Sequence, residues 1–423
     1  MPLIIEPKWV AVAVFLAVYL LIMLGLRELT VASLAGVTIL FTAGILSWEE
    51  IWHYMGFDVL ALLIGVMIVA RVMRHVGFFR WLGIHMANLA RCDPMRMLVF
   101  FVLVSVALTA FAGATVVVAL MMSLVVMDIM DILELDPRPF ILAIVFAVNI
   151  AGMSTSVSSL PTILIAETLD LDFWSFAANM WILTASGVGG LLAMLLLFSR
   201  HELSKMRPRF RRMPVEPQEV IADKKMFYFC TAMFFAMIFG FATGFFVGLK
   251  PGAVAILTAS VILIVAGHRV GPVVREVDWE TVLSIACLLV LVGALEKTGA
   301  IHDLAQAIYP LLTAELLGPS ALLWLSALIS AVIDNVPFTT VMIPTLHEIS
   351  PKAGPLWWAL AAGTCLGGNG TVIASYANLV VVGAASERGY RIDPKAFARR
   401  GMTLVLATTY MVNLALLITL VSS

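Results

Sequence analysis

One carboxylate is the residue best placed to do chemistry inside a membrane. Asp334 lies in the segment SAVIDNVPFTTVMIPTL, within a run over 316–346 that has no other charged residue. An ionised side chain at membrane depth is costly and typically marks a substrate or ion pathway. Because burial favours the uncharged carboxyl, we expect this side chain to take up and release a proton. We therefore predict a proton-coupling role for Asp334.

The segment around Asp334 is too long for one straight helix. A helix over 316–346 would measure about 46 Å, whereas the hydrocarbon core of a bilayer is about 30 Å thick. Pro337 and Pro344 each remove a backbone donor. The length and the prolines predict a re-entrant hairpin, and irregular backbone at this depth must line protein or a wet cavity. The predicted tip residues are Asp334, Asn335, Thr339 and Thr340.

The composition is typical of a polytopic membrane protein. Of the 423 residues, 62% are hydrophobic and 13% are charged, against about 25% charged in soluble domains. The four cysteines are scattered and give no paired spacing for a disulfide framework or a metal site. Nothing in the sequence indicates nucleic-acid binding. We predict an all-α protein in the lipid bilayer, with no cofactor and no metal.

The hydropathy pattern divides the chain into two halves with the same order of segments. Each half has six apolar segments, of which the fourth and fifth are overlong. Gly77 and Gly299 occupy matching motifs, and the same offset places Ala112–Gly113 on Asp334–Asn335. The first half therefore has the same hairpin without the carboxylate. The predicted units are a first repeat over 1–199, a cytoplasmic linker over 200–225 and a second repeat over 226–423.

The fifth segment of each half predicts a helix that is interrupted within the membrane. NIAGMSTSVSSLPTILIA (149–166) and CLGGNGTVIASYANLVVV (365–382) both carry glycine and small hydroxylic residues between apolar arms. Glycine permits unusual backbone angles, and Ser and Thr side chains compete for the backbone's hydrogen bonds. We expect these helices to unwind at 152–156 and 367–371. Paired interrupted segments of this kind indicate a transporter binding site.

The distribution of Lys and Arg predicts the orientation. If the hairpins enter and leave on one face, each half has five spans, and 22 of the 26 Lys and Arg residues fall on the cytoplasmic side. An odd number of spans then separates the halves, so they are inverted. We predict external termini, a first hairpin that enters from the cytoplasm and a second that enters from outside. Each repeat contains five spans, one re-entrant hairpin and one broken helix.

The predicted binding site is the place where the hairpin tips and the unwound helices converge. Half-helix N-termini and unwound carbonyls attract ions there. These groups suit a small inorganic ion or oxyacid better than a bulky organic molecule. Small polar residues also join helices in membranes, and that role stays open for Ser156 and Ser158. The predicted site residues are Asn149, Ser154, Thr155, Ser156 and Thr115 in the first half, and Asp334, Asn335, Thr339, Thr340, Asn369, Thr371, Ser375 and Asn378 in the second.

Three motifs carry a family resemblance. SAVIDNVPFTTVMIP, GTCLGGNGTVIASYANLVVVG and GFFRWL resemble the arsenite-pump and sodium/proton-antiporter branch of the ion transporter superfamily. That branch also holds citrate-transporter-like proteins and the pink-eyed-dilution proteins. The resemblance implies an inverted-repeat carrier with two re-entrant hairpins and two broken helices. The first half departs from the motifs of that family. Ala112–Gly113 stands where the family usually has an Asp-Asn pair, and 158–162 lacks the acidic residue that the family usually has there. We therefore expect a more neutral first-half site.

We interpret the chain as a secondary transporter of a prokaryotic plasma membrane that works by alternating access. Export of arsenite or antimonite coupled to protons is favoured, because the neutral trihydroxide needs hydrogen bonds but no charge partner. Sodium/proton antiport, and then transport of citrate or another organic anion, are the alternatives. An intramembrane enzyme is disfavoured because no Lys lies within a span and Asp334 is the only acid so placed. A homodimer and a soluble ATPase partner stay open.

Overall fold

The structure is a computed structural model that describes residues 6–23, 28–112, 115–206, 208–267, 273–314 and 317–422. Every regular element in these ranges is a helix. A strongly apolar chain, with a mean hydropathy of +1.04, favours helices because a helix satisfies its own backbone hydrogen bonds in lipid. The predicted all-α polytopic fold is confirmed.

The described part of the chain holds nineteen α-helices and three short 3₁₀ helices. The first half contains α1 (Pro7–Met23), α2 (Leu29–Thr42), α3 (Trp48–Tyr54), α4 (Phe57–His75), α5 (Phe78–Leu89), α6 (Pro94–Ala112), α7 (Thr115–Leu133), α8 (Arg138–Ala151), α9 (Leu160–Thr168) and α10 (Phe173–Lys205). The second contains α11 (Lys224–Thr243), α12 (Pro251–Ala266), α13 (Trp279–Lys297), α14 (Ala300–Leu312), α15 (Leu317–Ser330), α16 (Asn335–Ile349), α17 (Pro355–Gly367), α18 (Tyr376–Glu387) and α19 (Pro394–Ser422). The 3₁₀ helices are Pro217–Val220, Gly244–Val247 and Val372–Ala374.

The lengths of the helices fit a multi-pass membrane protein. Within the described ranges, α6, α7, α10, α11, α13 and α19 are each long and apolar enough to cross a bilayer. The pair α3 and α4, bent by 52°, qualifies as one further span. Shorter apolar helices include α1, α2, α8, α12 and α15. Of these, α8 and α15 are the first parts of interrupted segments, the first broken helix and the second hairpin.

The helices pack as two bundles. Bundle A contains α1 to α4 and α11 to α13, and bundle B contains α6 to α10 and α15 to α19. The helices α5 and α14 connect bundle A to bundle B at matching places in the two halves. Each follows a glycine in the left-handed region, Gly77 with φ 84° and Gly299 with φ 80°, which a residue with a side chain rarely adopts. The shared Gly-helix pattern is therefore a structural feature of both halves.

The second hairpin turns at 331–334, between α15 and α16. Asp334 is the N-cap of α16, and its carboxylate accepts a hydrogen bond from the backbone N–H of Val336 at 3.0 Å. Pro337 lies in the first turn of α16, where a missing N–H costs nothing. Pro344 lies inside the same helix. The two prolines therefore do not mark the break, contrary to our expectation.

Two residues predicted at the hairpin tip lie inside a helix instead. Thr339 and Thr340 occupy the first turns of α16, where both side chains are buried. Their hydroxyls donate to the carbonyls of Asn335 and Val336, each at 2.7 Å. Because α16 begins directly after Asp334, the tip is shorter than the sequence indicated. Asp334 and Asn335 are its polar residues.

The first hairpin has longer arms than the second. The helix α6 ends at Ala112 and α7 begins at Thr115. We expected this run to break at AFAGAT (110–115), and residues 113–114 of that stretch lie outside the described ranges. We predicted short arms, but each arm is long enough to cross a membrane.

The two broken helices are present where the sequence predicted them. The first is interrupted over 152–159, between α8 and α9, and the second over 368–375, between α17 and α18. Ser159 caps α9 together with Thr162, through reciprocal side-chain and backbone hydrogen bonds. Each break is longer than we predicted because the second half of each helix starts only at its cap.

The linker between the halves is shorter and more firmly packed than a solvated loop. The helix α10 continues to Lys205 and α11 begins at Lys224. The backbone N–H of Met213 donates to Asn88 Oδ1 on α5 at 2.9 Å, and the side chains of Met213 and Ile221 are buried. The linker therefore packs against the connecting helix α5.

Ion pairs in the structure agree with the predicted orientation. Lys250 pairs with Asp58 and Glu167, and Lys297 pairs with Glu50, among residues predicted outside. Arg388 pairs with Asp128, and Arg209 pairs with Glu134, among residues predicted inside. Each pair joins residues assigned to the same face. The orientation itself, and the two-repeat division, stay predictions.

Close packing of α15 against α17 gives a first testable prediction. A Cβ at Gly363 would lie 2.6 Å from the carbonyl oxygen of Leu323, whereas a Cβ at Gly383 would meet nothing within 4 Å. We expect Gly363→Ala to cost about 1–3 kcal/mol, because the helices must move apart. Gly383→Ala should be neutral or stabilising, since Ala favours a helix over Gly by about 1 kcal/mol.

The measurement is the thermal unfolding of both variants in detergent, followed by circular dichroism. A Gly363→Ala protein that melts at the temperature of the parent would contradict the close approach of the two helices.

Candidate functional site

A small cavity lies where four helices of bundle B begin. Its volume is about 60 Å³, and its lining includes the first residues or caps of α7, α9, α16 and α18. These helices are the second arms of the two hairpins and the second halves of the two broken helices. A helix N-terminus carries partial positive charge and free N–H groups. The polar lining residues are Thr115, Ser159, Thr281, Asp334, Asn335, Ser375 and Tyr376.

Asp334 is the only charged residue among those that line this cavity in the described ranges. Its carboxylate accepts from the N–H of Val336 in α16 and interacts with the N–H of Tyr376 at the start of α18. Helix N-termini therefore offset its negative charge in place of Lys or Arg. Protonation of Asp334 would change the net charge of the cavity by a full unit.

A cluster of buried amides lies beside the cavity. Asn149 Nδ2 is 3.0 Å from Asn369 Oδ1 and 2.9 Å from Asn378 Oδ1. Ser375 Oγ donates to Asn149 Oδ1 at 3.1 Å. Asn378 Nδ2 donates to the carbonyls of residues 368 and 371, at 2.7 and 2.9 Å. The cluster thereby satisfies carbonyls that the unwound backbone leaves without helical partners.

One donor of this cluster has no protein partner. Asn369 is fully buried, and its Nδ2 makes no hydrogen bond within the described ranges. Asn335 is close to the same region, because a Cβ at Gly368 would lie 3.6 Å from Asn335 Nδ2 and 3.6 Å from Asn149 Cγ. A buried donor without a partner costs free energy, about 1–3 kcal/mol.

Three of the predicted site threonines tie each hairpin to its broken helix. Thr115 Oγ1 donates to the carbonyl of Ser158 at 3.0 Å, and Thr155 Oγ1 donates to the carbonyl of Ala110 at 2.6 Å. In the second half, Thr371 Oγ1 donates to the carbonyl of Ala331 at 2.9 Å. Thr155 and Thr371 make equivalent bonds in the two halves. These residues hold the helix N-termini in register around the cavity.

Four predicted site residues lie away from the cavity. Ser154 Oγ donates to the carbonyl of Ala151 at 2.6 Å, within its own turn. Ser156 lines a different pocket, which also contains Asp58 and Lys250. Thr339 and Thr340 bond to their own helix, as described above. The structure therefore brings Thr115, Asp334, Asn335 and Ser375 together at the cavity, with Asn149, Asn369 and Asn378 beside it.

The sequence analysis missed three polar residues that line the cavity, which are Ser159, Thr281 and Tyr376. Ser159 could have been found, because a Ser followed by Leu-Pro and then Thr162 is a typical helix start. The Tyr376 side chain interacts with Thr281 and Asp278 near the start of α13. No local signal indicates that contact, because Tyr376 and Thr281 are distant in sequence.

Comparisons with known proteins identify a family and several relatives. A family model described as citrate transporter matches residues 19–363. An uncharacterized transporter of Mycobacterium tuberculosis is 32% identical over 419 residues, which cover 95% of this chain and 97% of the relative. The 46 kDa membrane protein of Mycobacterium leprae is 30% identical over 407 residues, which cover 93% and 95%.

A longer relative extends the likeness. The P protein of Homo sapiens is 29% identical over 493 residues, which cover 94% of this chain and 58% of the P protein. The resemblance to citrate-transporter-like and pink-eyed-dilution proteins is therefore confirmed, and the molecule is a membrane transporter. The chain belongs to the citrate transporter family.

Proposed function

We propose that the protein exports a small oxyacid, with arsenite and antimonite as the favoured substrates, in exchange for protons. The observation that carries this proposal is the position of Asp334, a lone carboxylate in a small cavity surrounded by helix N-termini. The remaining polar lining is hydroxyl and amide. Such groups hold an uncharged solute by hydrogen bonds and do not require it to carry a charge.

The size of the cavity favours a small solute. The cavity measures about 60 Å³, well below the roughly 300–1,000 Å³ of pockets that hold drug-sized organic ligands. An inorganic trihydroxide has only a few heavy atoms, whereas a tricarboxylate such as citrate is much larger. A trihydroxide also offers both donors and acceptors. Its hydroxyls can donate to Asp334, and its oxygens can accept from Asn335 or from helix N–H groups.

The chemistry of Asp334 gives the direction of coupling. An ionised carboxylate is a strong acceptor for a substrate hydroxyl, and the protonated form is a weaker one. A proton and the substrate therefore compete for Asp334. A carrier that moves one of them at a time across the membrane exchanges substrate for protons.

The two bundles provide a means of alternating access. The cavity is lined mainly by bundle B, but Leu63 and Met67 of α4 and Thr281 of α13 belong to bundle A. A site at such an interface changes its access when one bundle moves against the other. We propose that the hairpins and broken helices of bundle B move against bundle A.

An organic anion is the second candidate substrate, and one observation favours it. The N-termini of four helices face one cavity, which suits a negatively charged group. The family model that matches this chain is also described as citrate transporter. An anion and a proton on Asp334 would bind together, because protonation removes the negative charge of the carboxylate. The anion and the proton would then cross the membrane in the same direction, as in a symporter.

Transport into inverted membrane vesicles distinguishes the candidates. Arsenite, sodium and citrate are each supplied under an imposed pH gradient with the vesicle lumen acidic. We expect accumulation of arsenite that stops when an ionophore dissipates the gradient, because exit of protons drives entry of the solute. Vesicles without the protein are the control. Movement of sodium or citrate, with no arsenite accumulation, would overturn the choice of substrate.

A substitution at Asp334 tests the coupling residue. Asp334→Asn keeps the size and the hydrogen bonding of the side chain and removes its titration. We expect normal membrane insertion but loss of the response to the pH gradient, measured in the same vesicles.

The matched control is Glu49→Gln, which removes an exposed carboxylate in α3 and should leave transport unchanged. Proton-driven transport by Asp334→Asn at the rate of the parent would mean that another group carries the proton.

A further inference from the structure

A second pocket lies between the two bundles on the predicted outer face. Its volume is about 290 Å³, at the small end of ligand pockets. Its lining comes from α4, α9, α11 and α12, from Ser156 in the first broken helix, and from the segments that precede α10 and α12. It shares no lining residue with the cavity at Asp334. The two sites are therefore separate.

A single ammonium occupies the polar mouth of this pocket. Lys250 Nζ donates to Asp58 Oδ2 at 2.6 Å and to Glu167 Oε1 at 2.9 Å. The hydrogen bonds to Asp58 and Glu167 raise the pKa of Lys250 above its ordinary value, so this side chain stays charged. Asp170 and Asp172 also line the pocket. Four carboxylates against one ammonium give the pocket a negative charge.

A buried hydroxyl points to a ligand independently of these charges. Ser156 lines the pocket and is only 4% exposed. Its Oγ has no hydrogen-bond partner within the described ranges. An unpaired buried hydroxyl is unfavourable, and a ligand with a polar atom at this place would satisfy it.

The rest of the lining is mostly apolar. Val59, Leu62, Ile163 and Phe241 are buried side chains that line the pocket. An inorganic cation gains nothing from such a surface, whereas an alkyl chain is removed from water there. The pocket therefore combines a site for an ammonium, an apolar body and a hydroxyl partner.

We propose that this pocket binds a small organic ammonium with an apolar chain and a second hydrogen-bonding group. Its ammonium lies between Asp58 and Glu167 in place of Lys250 Nζ, and its second polar group bonds to Ser156. Lys250 acts as a tethered competitor that fills the ammonium position when no ligand is bound. The proposal does not depend on the transported substrate, because it concerns binding at a separate site.

Calorimetric titration of the purified full-length protein in detergent tests the charge requirement. The probe is aminobutanol, which is protonated at neutral pH, and the uncharged control is butanediol. We expect aminobutanol to bind and butanediol to bind much more weakly. Equal affinities for the two probes would overturn the proposal.

Variants at the mouth test the competition. Lys250→Met should raise the affinity for aminobutanol about threefold or more, because the competitor is gone. In the Lys250→Met background, where the competitor is absent, Glu167→Gln and Asp58→Asn should each lower it about threefold, as expected for partly exposed charge pairs. Lys352→Met, at an exposed lysine in the loop before α17, is the matched control and should change nothing.

Ser156→Ala tests the depth of the site. It should lower the affinity for aminobutanol and leave that for butylamine, which has no hydroxyl, unchanged. Thermal unfolding confirms that each variant is folded. Absence of aminobutanol binding in both the parent and Lys250→Met would overturn the proposal. It would also be overturned if the substitutions at Lys250 and Glu167 left the affinity for aminobutanol unchanged.

Discussion

The structure depends on holding one carboxylate in a small cavity whose lining, in the described ranges, contains no Lys or Arg. Asp334 meets this constraint through backbone N–H groups of α16 and α18, which exist only because two long segments are interrupted there. The second interruption leaves carbonyls without helical partners, and the amides of Asn149 and Asn378 satisfy those of Gly368 and Thr371. Thr155 and Thr371 then fix the hairpins to the broken helices. The polar residues of bundle B are therefore parts of one arrangement.

The sequence predicted the interruptions well, because their physical causes are local. An uncharged run too long for the bilayer, and glycine with Ser and Thr between apolar arms, are features that any reader of the chain can find. The residues at which each helix begins and ends were harder to predict. Pro337 was expected to break a helix but lies in the first turn of α16, where proline is tolerated. The same misjudgement placed Thr339 and Thr340 at the tip.

The sequence could not predict which individual side chains line the same cavity. Ser156 and Ser159 are three residues apart, yet they line different cavities, because unwound backbone has no fixed periodicity from which a facing direction follows. The contact of Tyr376 with Thr281 joins the two bundles and has no local signature. Burial of the linker near Met213 was missed for the same reason. Only the packing of distant helices determines these positions.

The central claim is that a proton and the substrate compete for Asp334. The most direct test is the affinity of the purified protein for arsenite as a function of pH, compared with that of Asp334→Asn. The account predicts that the affinity of the parent falls as the pH is lowered, because protonation weakens the acceptor, and that the variant shows no such dependence. An affinity of the parent that rises as the pH is lowered, or that does not change while transport remains driven by protons, would contradict it.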